Sequence, residues 1–142
     1  MTEEGLSGRT TVFVDPIHES MDALSVIYAL LKSHEVIDLL IIMLGTNDVK
    51  ERFGANAACI AAGMERLILK AKSVDCWGTK QPNILVVAPP PIGAGFHDAV
   101  MGDGCVENLP VWPGSSASSA SGRVCTSWTQ RTASSTRWIS CT

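Results

Sequence analysis

No CxxC pair, no basic stripe, no apolar run long enough to cross a bilayer and, after Glu107, no acidic side chain occur in this sequence. Each absence excludes something. A formal net charge of −3, without aromatic and basic residues interleaved, excludes a nucleic-acid partner. The longest apolar run, Val36 to Leu44, is broken by Asp38. It falls far short of the roughly 20 residues a membrane span needs, so no membrane partner is expected. Met1-Thr2-Glu3-Glu4-Gly5 lacks the basic and apolar regions of a secretory signal, which predicts a cytoplasmic location. The five cysteines (Cys59, Cys76, Cys105, Cys125 and Cys141) are scattered and odd in number, so they read as free thiols. His18, His34 and His97 are isolated, and their spacing gives a metal centre no support. No cofactor and no metal are expected.

What the chain does contain is an alternation of periods. Leu24, Ile27, Tyr28 and Leu31 share one face of a helix over 21–32, with Ser20 placed to cap it. Ile37 to Leu44 reads as a strand buried on both faces, stopped by Gly45-Thr46-Asn47-Asp48. A second helix follows over about 55–71, with Cys59 or Ile60, Met64, Leu67 and Ile68 inward. Ile84 to Ala88 is then a second strand ending at Pro89-Pro90-Pro91. Helix, strand, helix, strand with short links predicts an α/β fold: a flavodoxin-like, three-layer parallel sheet with helices on both faces. Ligands in such sheets sit beyond the carboxyl ends of the strands, which points to the loops 45–48 and 89–95. No Gly-rich phosphate fingerprint is present, so a phosphate-binding module has little support.

Residues 1–107 therefore read as one partial domain and 108–142 as an atypical tail rich in Ser, Thr and Trp. The tail shows no helix or strand period, yet its Trp112, Trp128 and Trp138 are unusual for a disordered segment.

Glu3-Glu4-Gly5-Leu6-Ser7-Gly8-Arg9-Thr10-Thr11, Asp38 through Asp48 with its Gly-Thr-Asn-Asp ending, and Val86-Val87-Ala88-Pro89-Pro90-Pro91 together resemble the SGNH (GDSL-type) serine hydrolases. The nearest branch is that of arylesterases and a mycobacterial-type acyltransferase. The resemblance spans roughly residues 3 to 107. It implies a serine ester hydrolase acting through an acyl-enzyme on a small-molecule ester with a short acyl group. It also implies that Gly8, through its N–H, and Asn47, through its side-chain amide, are oxyanion-hole donors. On spacing alone, Gly8 reads as a turn glycine and Asn47-Asp48 as the cap of the next helix. The joint pattern favours the oxyanion hole.

The sequence also departs from that family. Its nucleophile belongs to a Gly-Asp-Ser block on a first strand that precedes the GLSGRTT segment, and no such block occurs here. The expected reading is truncation at the N-terminus, leaving the nucleophile out. A replacement nucleophile would have to be a serine such as Ser7, or Ser20 with His18. The Asp-x-x-His block expected near the C-terminus is also not found there. With permitted codons, Val124 to Thr142 read two bases later yields a segment ending Val-Asn-Ser-Val-Asp-Leu-Val-His, a likeness of that block. A frameshift between Glu107 and Val124 is the expected cause, and the coding DNA decides it. The alternative to an active hydrolase is an inactive fragment that associates with other chains, since a sheet missing a central strand exposes edges and apolar faces. A homo-oligomer is expected on that ground.

Overall fold

A computed structural model describes residues 1–90, 92–106, 125–128 and 138–140. The first helix, α1, is Ala23–Ser33, followed by strand β1 (Leu40–Ile42), helix α2 (Ala57–Ser73) and strand β2 (Ile84–Val87). Two further strands, β3 (Cys125–Trp128) and β4 (Trp138–Ser140), complete a four-stranded sheet in the order β1-β2-β3-β4. The β1–β2 pair is parallel, with Leu40 opposite Ile84 and Ile42 opposite Val86. The β2–β3 and β3–β4 pairs are antiparallel. The expected α/β fold with parallel pairing is present, and the sheet is mixed. Strands β3 and β4 lie in the tail, where the sequence shows no period. The rest of 108–142, including Trp112, lies outside the described residues, as do Pro91 and Glu107.

Both helices pack on one face of the sheet. Ala23, Ile27 and Leu31 of α1 and Met64, Leu67, Ile68 and Ala71 of α2 form one core with Ile42, Ile84 and Val86. Residues one step along each strand point the other way, as the pleat requires. There the outcome departs from the expected burial on both faces: Ile41 is 51% and Met43 59% exposed. Among the described residues no element covers that second face.

Local chemistry fixes the helix starts. Asp22, not Ser20, caps α1, its carboxylate accepting from the Ser25 N–H at 3.0 Å. Asn56 caps α2 in the same way through the Cys59 N–H at 2.9 Å. The inward stripe of α2 is Ile60, Gly63, Met64, Leu67, Ile68 and Ala71, with Cys59 exposed. Tyr28, expected inside, is 55% exposed, with the Lys70 ammonium 5.8 Å from its ring centroid. The exposed phenol reaches water while the ring meets a cation.

A second apolar cluster, Val49, Ala55, Ile60 and Cys105, ties the segment after β1 to residues 92–106. Phe13 and Phe53 stack beside it with centroids 5.6 Å apart. This cluster holds the two loops that form the site described next.

Candidate functional site

The segment from Leu6 to Phe13 has no regular structure, yet every backbone N–H and C=O from Arg9 to Thr11 is hydrogen-bonded. Arg9 N–H closes a turn onto the Leu6 carbonyl at 3.1 Å. Gly8 sits inside that turn at φ +91°, a region that disfavours any side chain. A Cβ there would also stand 3.1 Å from Met21 Cε. Thr10 N–H donates to the Met21 carbonyl at 3.0 Å. The first N–H groups of α1, from Ala23 and Leu24, donate to the Thr10 and Thr11 carbonyls at 2.9 and 3.0 Å. Orphan donors at a helix start need partners, and this segment supplies them.

The Gly45–Asp48 loop leaves the carboxyl end of β1 through Gly45 at φ +127° and enters a 3-10 turn, Asn47–Val49. The Asn47 side chain makes no capping bond there. Its amide instead donates to the Arg9 carbonyl at 3.1 Å, on the residue after Gly8. Gly8 and Asn47, chosen from the sequence, are thus brought to one place. An amide nitrogen carries two protons, so one Asn47 N–H remains, and the Gly8 N–H has no acceptor among the described residues.

Asp48 locks the two segments together, a role the sequence reading missed. Its carboxylate is fully buried and accepts from the Thr11 N–H at 2.9 Å and from the Thr11 hydroxyl. Its second oxygen has no hydrogen-bond partner among the described residues. Burial pushes the Asp48 carboxyl above its ordinary value, and the Thr11 bonds only partly oppose this. A cavity of about 270 Å³ opens beside the lock, bordered by Ser7 and Arg9 on one side and by Gly45, Thr46 and Asn47 on the other.

Asp15 and His18 have the three-residue spacing of an Asp-x-x-His block, though near the other end of the chain. They form a turn in which Ile17 N–H donates to Asp15 at 2.9 Å and the exposed His18 has its Nδ1 3.9 Å from that carboxylate. The carboxylate is buried and is held by Lys50 and Arg52, each at 3.5 Å. The Ile17 bond first, then Arg52 and Lys50, keep the Asp15 carboxyl below its ordinary value against the opposing effect of burial. This group borders a different cavity, of about 550 Å³, with Val100 and Met101. His97 pairs with Asp103 at 3.1 Å, and His34 with Glu4 at 2.6 Å. Ser20 adopts φ +57°, and none of Ser7, Ser20, Ser25, Ser33 or Ser73 is hydrogen-bonded to a histidine.

The two buried carboxyls predict opposite pH effects on stability. Asp15, with its folded value lowered, stabilises the fold above about pH 3.8, and that contribution is lost as pH falls through the folded value. Asp48, with its folded value raised, favours the fold below about pH 3.8, and that contribution is lost as pH rises through the folded value. Urea unfolding from pH 3 to 7 should therefore show Asp15→Asn removing the acid-side loss of stability. Asp48→Asn should remove the decline on the alkaline side of pH 4. Identical pH profiles for wild type and both variants would contradict the assignment.

Solved structures with a similar fold are ester hydrolases. An aryl esterase from M. smegmatis aligns with TM-score 0.67 and 36% identity over 76% of this chain and 53% of its own. A carbohydrate acetylesterase from Sinorhizobium meliloti aligns with TM-score 0.65 and 38% identity over 75% and 51%. A putative arylesterase from Agrobacterium tumefaciens aligns with TM-score 0.63 and 36% identity over 72% and 51%. No protein-family model and no curated protein matches the chain. In identity and in fold the chain is similar to these SGNH-type aryl and carbohydrate acetylesterases. It spans about half the length of the solved structures it matches.

Proposed function

We propose that this chain carries the oxyanion-hole half of an ester hydrolase that acts through a serine acyl-enzyme on short acyl esters. The observation that supports the reading best is the Asn47 amide bonded to the Arg9 carbonyl, beside the positive-φ turn at Gly8. A tetrahedral intermediate places negative charge on one oxygen. Donors already fixed in place stabilise it without reorganising when the charge appears. The spare Asn47 N–H and the Gly8 N–H are such donors, and the Thr11–Asp48 lock keeps them from rearranging. The nucleophile would attack from the side of the 270 Å³ cavity, with a histidine taking its proton and an aspartate orienting that histidine.

Neither a Gly-Asp-Ser block nor a serine bonded to histidine is found among the residues described. The 142-residue chain by itself is therefore expected to give no adduct with a fluorophosphonate probe by intact mass. It should also show no nitrophenyl acetate turnover above a heat-treated control. A single adduct with matching turnover would show that an activated serine is present, and peptide mapping would name it.

A second reading, an inactive fragment associating with other chains, is favoured by the half-exposed Leu39, Ile41 and Met43 and by the free edge of β1. An exposed edge with apolar flanks invites pairing with another strand. Size-exclusion chromatography should then show a species larger than the 15.1 kDa monomer.

A further inference from the structure

We infer that Lys50 is a positioning residue for the Asn47 amide: its buried ammonium, paired with Asp15, holds the Asn47–Val49 turn in the orientation that brings that amide to Arg9. This role rests on the proposed function in one point: Asn47 must be an oxyanion donor for its orientation to matter to chemistry.

A donor of that kind is useful only when held to within about 0.5 Å and 10–20° of its working geometry. The Thr11–Asp48 lock constrains the position of the turn more than its orientation, because both Thr11 bonds end on one carboxylate oxygen, Oδ1. A second anchor away from that oxygen is needed to stop rotation about it, and the ion pair supplies one. Three residues of the turn region meet three of the neighbouring segment in order: Asn47 meets the Arg9 carbonyl, Asp48 meets Thr11, and Lys50 meets Asp15. Lys50 also passes its anchor directly to Asn47, whose carbonyl accepts from the Lys50 backbone N–H at 3.4 Å.

The chemistry of Lys50 points the same way. Its side chain is 5% exposed, and among the described residues its ammonium pairs only with Asp15, at 3.5 Å. An ammonium buried against one carboxylate at that distance is a poor source of stability, and a methionine would fill the space at lower cost. Such a pair is better suited to selecting one arrangement of the chain over others. Arg52 reaches Asp15 as well, but it is more exposed and its other nitrogen donates to the Val100 carbonyl at 2.9 Å. It therefore ties Asp15 to the 92–106 segment rather than to Asn47. The Ile17 N–H fixes the carboxylate from within its own turn, where the exposed His18 lies 3.9 Å away.

The test is ¹⁵N NMR relaxation of the Asn47 side-chain amide in the whole chain at pH 7. In the wild type its order parameter should match that of rigid backbone, about 0.85. Lys50→Met should lower it below about 0.6 while the backbone amides of α2 stay rigid. An Asn47 amide as rigid as in the wild type, in a folded Lys50→Met, overturns the inference. So does an α2 that loosens by the same amount, since Lys50 would then support the fold at large. If Lys50→Met does not fold, Asp15→Asn removes the ion pair from its other end, and the same outcomes decide. If neither variant folds, an acid titration of the wild type decides. Asp15 takes up its proton below the ordinary carboxylate value and Asp48 above it, so the two are separable. Asn47 amide signals that move with the Asp15 carboxyl support the inference, and signals that follow Asp48 alone overturn it. No ester is used, so the two readings fail separately. Rigidity lost in Lys50→Met, with ester turnover indifferent to Asn47→Ala in a chain supplied with a nucleophile, would sink the proposed function alone. Rigidity unchanged, with turnover that needs Asn47, would sink this inference alone.

Discussion

Replacing Asp48 by Ala should destabilise the fold by about 3 kcal/mol. The carboxylate is fully buried and accepts from both the N–H and the hydroxyl of Thr11. Alanine leaves both donors without a partner in a place water does not reach, at roughly 1–3 kcal/mol for each such group. Part of that loss is offset, because the buried Asp48 charge is itself unfavourable and its second oxygen has no partner. Urea unfolding at pH 7 measures the balance. A cost under about 1 kcal/mol would mean that Thr11 finds another acceptor and that the lock is not what holds the two loops together. The partial variant Thr11→Val keeps the backbone bond and removes only the hydroxyl. It should cost about 1 kcal/mol, the usual net value of one hydrogen bond.

The second large effect is expected at Gly63, on the face of α2 that meets the same segment. A Cβ at this position would lie 2.8 Å from Val12 Cγ2 and 3.0 Å from Thr11 Oγ1. Glycine in a helix interior costs about 1 kcal/mol relative to alanine, so its presence here trades helix propensity for close approach. Gly63→Leu should cost about 3 kcal/mol, at the upper end for overpacking, because the displaced atoms belong to a segment already fixed by Asp48 and by the start of α1. Gly63→Ala should be near neutral, with its propensity gain spent on moving Val12. Thermal unfolding of the pair separates the two terms. A stabilised Gly63→Leu would show that the Leu6–Phe13 segment is not packed against α2.

Much of the fold was legible because it rests on period. The α2 stripe of Ile60, Met64, Leu67 and Ile68 follows from 3.6-residue spacing. Strand β2 follows from a short apolar run entered at Pro82 and stopped at Pro89. Gly8 and Asn47 came forward as site candidates only through their joint resemblance to a family, since each alone reads as ordinary turn chemistry. What period does not encode was missed. Ser20 and Asp22 are both good caps, and the choice of Asp22 depends on where Thr10 crosses the start of α1. Tyr28 matched the helical spacing, yet its side chain is 55% exposed beside Lys70. The burial of Ile41 was overestimated because a run of apolar residues cannot say whether both faces are covered. The Thr11–Asp48 bond joins residues 37 apart in sequence, and no local signal announces it.

The central claim is that Asn47 and Gly8 belong to the oxyanion hole of an ester hydrolase. The most direct measurement is nitrophenyl acetate turnover by a chain given the two blocks it does not show. These are a Gly-Asp-Ser first strand joined ahead of Met1 and an in-frame Asp-x-x-His segment after Val106, each compared with and without Asn47→Ala. The account predicts turnover that is blocked by a fluorophosphonate and that falls about 100- to 1,000-fold when the Asn47 amide is removed, as for the loss of one oxyanion donor. Turnover that is unchanged in Asn47→Ala would contradict it.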